Sequence, residues 1–377
     1  MPSSMRTLQL GTLLMILIPI LTLASQLERL SFRPRDLKKA TPVTPIRDWH
    51  VNQPATPRNL PSRFPLPDFL AVFEPAEDSE GASLEDWGVA VRQILDNALP
   101  NHGGVLVKGL HCIKSAADFK TFWRACCNVH PRWTTMEYTP FHRNRDQDEG
   151  VDLATNIKSS FCLPCHNEMA YNPKPAGRIA LFCLQDAREG GESLVVPNAA
   201  LTDGIRDEVK HWLKEHGGVL YVREYFDENL KSNETSSPWA ISWQEKCGIS
   251  IHEEIGSAKA KARQYFLSLG FNPSAINFDG NNTLTVKYIH PGTIRTSDGK
   301  DLWFNILDTG MCCAGDGTRL PENLLQDLRS DSWASYSAIK LEPGDWLVLD
   351  NLRVQHGRLP FIEEEHRKRK LLVVYTV

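Results

Sequence analysis

Outside its first two dozen residues the sequence has no long apolar run. It also has no marked excess of one charge, no internal repeat and no regular cysteine framework. Each absence removes a class of protein. The uncharged stretch LQLGTLLMILIPILTLA, Leu8–Ala24, is 17 residues long, short of the about 20 that span a bilayer as a helix. It follows Arg6 and ends in Thr22-Leu-Ala24, so it reads as a signal peptide or bipartite targeting segment over residues 1–25. An uncleaved membrane anchor and a chance apolar start are the alternatives. The expected destination is the secretory route or an organelle, by an ER or plastid-type signal, or a membrane held through residues 8–24, in preference to the cytosol. The 42 Lys and Arg against 46 Asp and Glu give a net charge of -4, so nothing points to a nucleic-acid-binding surface. A small-molecule substrate fits better, and oligomeric state is not legible.

The nine cysteines are odd in number, and Cys162-Leu-Pro-Cys165 has no second C-x-x-C to complete a zinc site. Ordinary buried thiols are expected. Asn233-Glu-Thr and Asn281-Asn-Thr are sequons that carry glycans only if the chain is secreted. Residues 26–63 are rich in Pro, Arg and Lys and read as a disordered or targeting linker outside the core. The folded domain is expected over residues 64–377.

Within that domain, Ser83 can cap a helix over 83–98, with Asp86 three residues on and Leu84, Trp87, Val91, Ile94 and Leu95 on one face. Pro100 should end it. GGVLVKGL reads as a buried strand, and SAADFKTFWRACCNV as a second capped helix with Phe119, Phe122, Trp123 and Cys126 inward. Further on, RIALFCLQD, SLVVP, TLTVKYIHP, LWFNIL, DWLVLDN and KLLVVYTV read as strands, interrupted by helical patches at 201–216 and 257–269. Short strands, turn glycines and no βα alternation predict a mainly β fold with flanking helices, an antiparallel barrel or jelly roll.

The chemistry is concentrated in three residues. His166 and Glu168, in CLPCHNEMAY, stand at i and i+2, so on a strand they share a face. His356, just after the DWLVLDN strand, is the candidate third ligand. Two imidazoles and one carboxylate form a facial set suited to ferrous iron, with positions left for an organic acid and dioxygen. A second H-x-E, His252-Glu-Glu254, leads into a charged helix and reads as a solvated helix entry. Ser193 lies 27 residues after His166, and Arg369 lies 13 after His356. A dicarboxylate bound to iron at one end needs a guanidinium and a hydroxyl at the other. On a terminal strand, Arg369 would share a face with Leu371.

HNEMAY, FCLQDAREGGES, SWQEKC, WFN and GDWLVLDNLRVQHGR occur in that order over about Phe64 to the C-terminus. With them the chain resembles the iron(II)/2-oxoglutarate-dependent taurine dioxygenase-like superfamily, nearest its clavaminate synthase-like and syringomycin-biosynthesis-like branch. The resemblance implies a double-stranded β-helix, cupin-like core. It implies that His166, Glu168 and His356 hold Fe(II), and that Arg369 and Ser193 hold 2-oxoglutarate, with O2 the other co-substrate. Glu168 stands where halogenating relatives carry a small residue, which argues against halogenation.

Substrate contacts are sought in Asn167 and Tyr171 beside the proximal ligands, in Asn305 of WFN, and in Arg143 or Arg145 of FHRNR. Arg358 is a candidate brace for the distal-ligand loop, and Asp350 and Asn351 for orienting His356. The expected function is oxidation of a small amino-acid-derived or carboxylated metabolite in biosynthesis, by hydroxylation, desaturation or ring closure. A secretory peptide or protein hydroxylase, and a non-catalytic jelly-roll binding protein with a vestigial site, are the competing readings.

Overall fold

A computed structural model describes residues 30, 32–35, 68–76, 81–129, 133–136, 152–154, 158–230, 241–307 and 312–377. The N-terminal apolar run, Arg143, Arg145 and the Asn233 sequon lie outside the described residues. Among the described residues no helix is long and apolar enough to cross a membrane.

The strands in chain order are β1 (Phe32–Pro34), β2 (Ala71–Pro75), β3 (Gly104–Val107), β4 (Asp152–Leu153), β5 (Leu163–His166), β6 (Arg178–Gln185), β7 (Ser193–Pro197) and β8 (Val219–Tyr225). They continue with β9 (Ile276–Phe278), β10 (Leu284–His290), β11 (Thr293–Arg295), β12 (Asp301–Trp303) and β13 (Cys313–Ala314). The last four are β14 (Ser337–Ile339), β15 (Trp346–Asp350), β16 (Val354–Arg358) and β17 (Lys370–Thr376). A seven-stranded sheet, β1-β2-β3-β15-β6-β17-β4, and a four-stranded sheet, β14-β7-β16-β5, carry the core. Leu181, Leu347, Leu349 and Val373 of the larger sheet join Leu194, Val195, Val196 and Val354 of the smaller in one apolar cluster, the inside of a jelly roll.

The other face of the large sheet is also covered. Val105, Phe182, Trp346, Val348 and Leu372 pack against the Leu84–His102 and Ala116–Asn128 helices. Burial on both faces explains why β6 and β15 read as continuous apolar runs without alternation. Ser83 caps the first helix by a reciprocal bond with Asp86. The helix does not stop before Pro100. It runs to His102, because a proline in the last turn forfeits one N–H bond only, and Gly103 (φ 71) supplies the left-handed stop.

The linker expectation needs correcting. Residues 32–34 form an edge strand antiparallel to β2. Leu30 is buried and Phe32 stands edge-on to Trp87 at 5.6 Å. Two apolar side chains at alternate positions supply enough buried surface to hold this piece, and Arg33 and Arg35 pair with Glu74. Described chain in the fold therefore begins before Phe64. The 201–216 patch is also two helices, Asn198–Gly204 and Asp207–Glu215, broken where Arg206 turns its N–H and guanidinium to Asp331. LWFNIL gives a strand only through Trp303, and β8 and the Trp243–Cys247 and Glu322–Ser335 helices were not expected.

Between β7 and β14 the chain inserts a second, smaller lobe. Its sheet runs β13-β8-β10-β9. Trp243, Phe266, Phe271, Tyr225 and Val286 form its own apolar cluster beneath the Ile255–Ser268 helix. Glu254 caps that helix through Gly256 N and Ser257 N, and His252 is exposed, as a solvated helix entry requires.

Candidate metal centre

Pairing of β5 with β16 sets His166 directly opposite His356. The ring centroids are 4.6 Å apart. So close a pairing needs Gly357: a Cβ there would sit 2.4 Å from the Leu163 carbonyl oxygen. His166 Nδ1 lies 3.0 Å from the Pro164 carbonyl. A carbonyl only accepts, so Nδ1 carries the hydrogen and Nε2 is left with its lone pair for a ligand.

Glu168 reaches the same point by a route the sequence did not show. β5 ends at His166, and Glu168 stands in the following turn, beside Met169 at φ 59. Shared strand parity is therefore not what brings the pair together. Asn351 fixes the turn: it accepts from Glu168 N at 2.7 Å and donates to the carbonyls of Glu168 (2.9 Å) and Ala176 (2.7 Å). Asn351 thus orients the carboxylate residue, where His356 had been the expected beneficiary. Asp350 spends its carboxylate on Leu352 N.

One donor atom from each of His166, Glu168 and His356 falls within 4.8 Å of the others, and no other group of that kind occurs among the described residues. Glu168 Oε2 is 3.7 Å from His356 Nε2. Glu168 is only 5% exposed, and a buried carboxylate is costly unless a cation offsets it. Two imidazoles and a carboxylate at this spacing fit a ferrous ion.

Ser193 opens β7, buried, opposite Arg358 of β16. Arg369 precedes β17, and a bulge between Lys370 and Leu371 breaks the simple alternation expected there. Its Nη2 donates to Gly191 O at 3.1 Å, two residues before Ser193, and the guanidinium lies 5.5 Å from the Phe361 ring. The residue keeps some solvent contact, yet its guanidinium is deep enough for burial to lower its pKa to about 10. It stays a cation at neutral pH. Arg358 donates to the carbonyls of Lys158 (3.0 Å) and Phe161 (2.9 Å). It therefore braces the segment entering β5 instead of the distal-ligand loop.

Two of the expected substrate contacts are structural. Asn167 is fully buried, donates to Asn351 O (2.7 Å) and Asn198 Oδ1 (3.4 Å), and accepts from Gln355 Nε2 (2.9 Å). Asn305 donates to Gly292 O and accepts from Leu307 N, both at 2.8 Å. Both N–H groups of Asn167 are thus spent on the protein, and Asn305 is tied by one donated and one accepted bond to backbone. Tyr171 is buried in the wall just past Glu168, with the Arg223 guanidinium carbon 4.2 Å from its ring centroid. Arg223, Asn198 and Gln355 escaped notice in the sequence.

The profile of a known family, described as taurine catabolism dioxygenase TauD, TfdA family, matches residues 64–375. The chain belongs to this family. A clavaminate synthase-like protein of Arabidopsis thaliana is 25% identical over 292 residues, covering 72% of this chain and 81% of that one. The dapdiamide synthesis protein DdaC of Enterobacter agglomerans is 22% identical over 250 residues, 60% of this chain and 69% of its own. The solved structure of PvcB from Pseudomonas aeruginosa aligns over 93% of this chain and 91% of that one, with TM-score 0.47 and 14% identity. This chain's family is one of dioxygenases, and its three convergent donors could hold a metal ion.

Proposed function

We propose that the protein oxidises a small amino-acid-derived or carboxylated metabolite in a biosynthetic reaction, with His166, Glu168 and His356 as its iron ligands. The carrying observation is the convergence of those three donors within 4.8 Å at a buried point of the fold. The name of the relative DdaC, a dapdiamide synthesis protein, supports a biosynthetic reading.

When bound, ferrous iron would supply the site at which dioxygen is the oxidant and 2-oxoglutarate the co-reductant: one oxygen atom would leave in succinate, with carbon dioxide released, and the other would oxidise a substrate C–H bond. The chain's own part is placement. His166 holds its ring by the Pro164 carbonyl, so the metal-facing nitrogen cannot swing away. Glu168 contributes the negative charge, on a turn that Asn351 fixes at both backbone groups. Arg369, with Ser193 nearby in β7, offers the far carboxylate of 2-oxoglutarate a buried cation and a hydroxyl. The buried side chains between the two sheets are apolar, a lining that would limit water at the reacting carbon.

Iron-dependent release of succinate and carbon dioxide from 2-oxoglutarate in air tests this reading. Wild type should release both, and His356→Ala neither. Equal release by the two proteins would move the metal elsewhere.

A further inference from the structure

β8 has its polarity inverted at one point. Val219, Tyr221 and Tyr225 share one face and are buried, and Arg223 is the fourth residue of that face. The opposite face leaves Val222 48% exposed. A strand that turns valine to water and arginine inward gives up packing and hydration together, a local conflict that marks a functional position. The contacts of Arg223 say where it points. Its guanidinium carbon lies 4.2 Å from the Tyr171 ring centroid and 5.8 Å from that of Tyr225. Tyr171 belongs to the segment that carries Glu168, three residues on. The phenol feels both the Arg223 and the Glu168 charges, although burial is the larger influence and raises its pKa. Lys246 of the Trp243–Cys247 helix feels the same charge: burial first, then the Arg223 guanidinium, disfavour its protonated form and hold its pKa well below the ordinary lysine value. Tyr171 thus joins the Arg223 guanidinium of the inserted lobe to the segment that carries Glu168.

We propose that Arg223 is a specificity-determining residue that holds a carboxylate of the substrate beside the Tyr171 ring, with the carbon to be oxidised turned toward His166, Glu168 and His356. A guanidinium takes both oxygens of a carboxylate in a fork, and the aromatic face orients the fork. This rests on the function proposed above, and it selects acids over their neutral derivatives within that substrate class.

The test uses the full chain and needs no known substrate. Butanoate, 4-phenylbutanoate and N-acetyl-L-norleucinate are each titrated beside the matching primary amide, by calorimetry under argon. One set uses protein saturated with ferrous iron and 2-oxoglutarate, and a second uses metal-free protein. The expected result is binding of the acids at least about tenfold tighter than the amides in both sets. Arg223→Gln should erase that preference, and Arg223→Lys, which keeps charge and loses the fork, should keep part of it. All three proteins should still form the coloured iron–oxo-acid chelate. Acids and amides binding alike, no probe binding, or an undiminished preference in Arg223→Gln would each overturn the proposal. Loss of the chelate with the preference intact in metal-free protein would sink the iron reading and leave the Arg223 assignment standing.

Discussion

The two sides of the candidate centre are built on different plans. One is the β5–β16 pair of the jelly roll, where two histidines face each other across a ladder and Asn351 holds the turn that carries Glu168. The other is β8 of the inserted lobe, a strand in a separate sheet with its own apolar cluster. The first side carries the proposed metal ligands and has little freedom to vary. The second carries Arg223 on a sheet that can change its side chains without disturbing the ligands. Under the proposal for Arg223, rigid pairing would fix the reaction and the lobe would select the substrate.

This contrast is broken most severely by removing a ligand. His166→Ala or His356→Ala should abolish succinate release and lower bound iron from stoichiometric toward zero by metal analysis, because two ligands hold ferrous iron poorly. The next largest effect is expected from Gly357→Ala. Its Cβ would meet the Leu163 carbonyl oxygen at 2.4 Å. The paired strands must then part, costing about 1–3 kcal/mol of stability. Chemical denaturation and iron content should fall together. A variant that is destabilised but binds iron normally would show that the ligands do not depend on the close pairing.

Arg369→Ala separates co-substrate from metal. Removing one partner of a buried charge pair costs about 2–5 kcal/mol, so the KM for 2-oxoglutarate should rise at least about thirtyfold, while metal-analysis stoichiometry stays near wild type. An unchanged KM would transfer the role to another cation. The smallest effect is expected from Asn351→Ala, which removes the partners of the Glu168 backbone. Loss of such supporting bonds lowers metal affinity by about 10–100-fold, and the stability cost is about 1–3 kcal/mol. A competition titration with a ferrous chelator reads the first, and a denaturant midpoint the second.

The same division decides what the sequence could reveal. The grouping of His166, Glu168 and His356 was legible from residue types taken together with the motifs around them. The H-x-E pair alone does not suffice, since His252-Glu-Glu254 has the same pattern at an exposed helix entry. The route by which Glu168 arrives was not legible. A turn with Met169 at positive φ, held by Asn351 from a distant strand, leaves no local pattern. Asn167 and Asn305 looked like pocket residues because a polar side chain beside a site reads the same whether it faces ligand or backbone. Only the hydrogen-bond partners separate the two cases. The strands with both faces covered were readable as apolar runs. β1 was hidden because a three-residue edge strand in a basic, proline-rich stretch gains its stability from long-range contacts with Trp87 and Glu74. Arg223 was hidden in the same way: its alternation with tyrosines acquires meaning only when Tyr171 is brought beside it.

The most direct test of the iron assignment is a spectrum. Ferrous iron and then 2-oxoglutarate are added under argon to the full chain and to His356→Ala, and visible absorption is recorded. The account predicts the weak visible band of an oxo-acid chelated to ferrous iron in the wild type, saturating at one equivalent, and no band in the variant. The same band in both proteins, or none in a folded wild type that has bound iron, would contradict it.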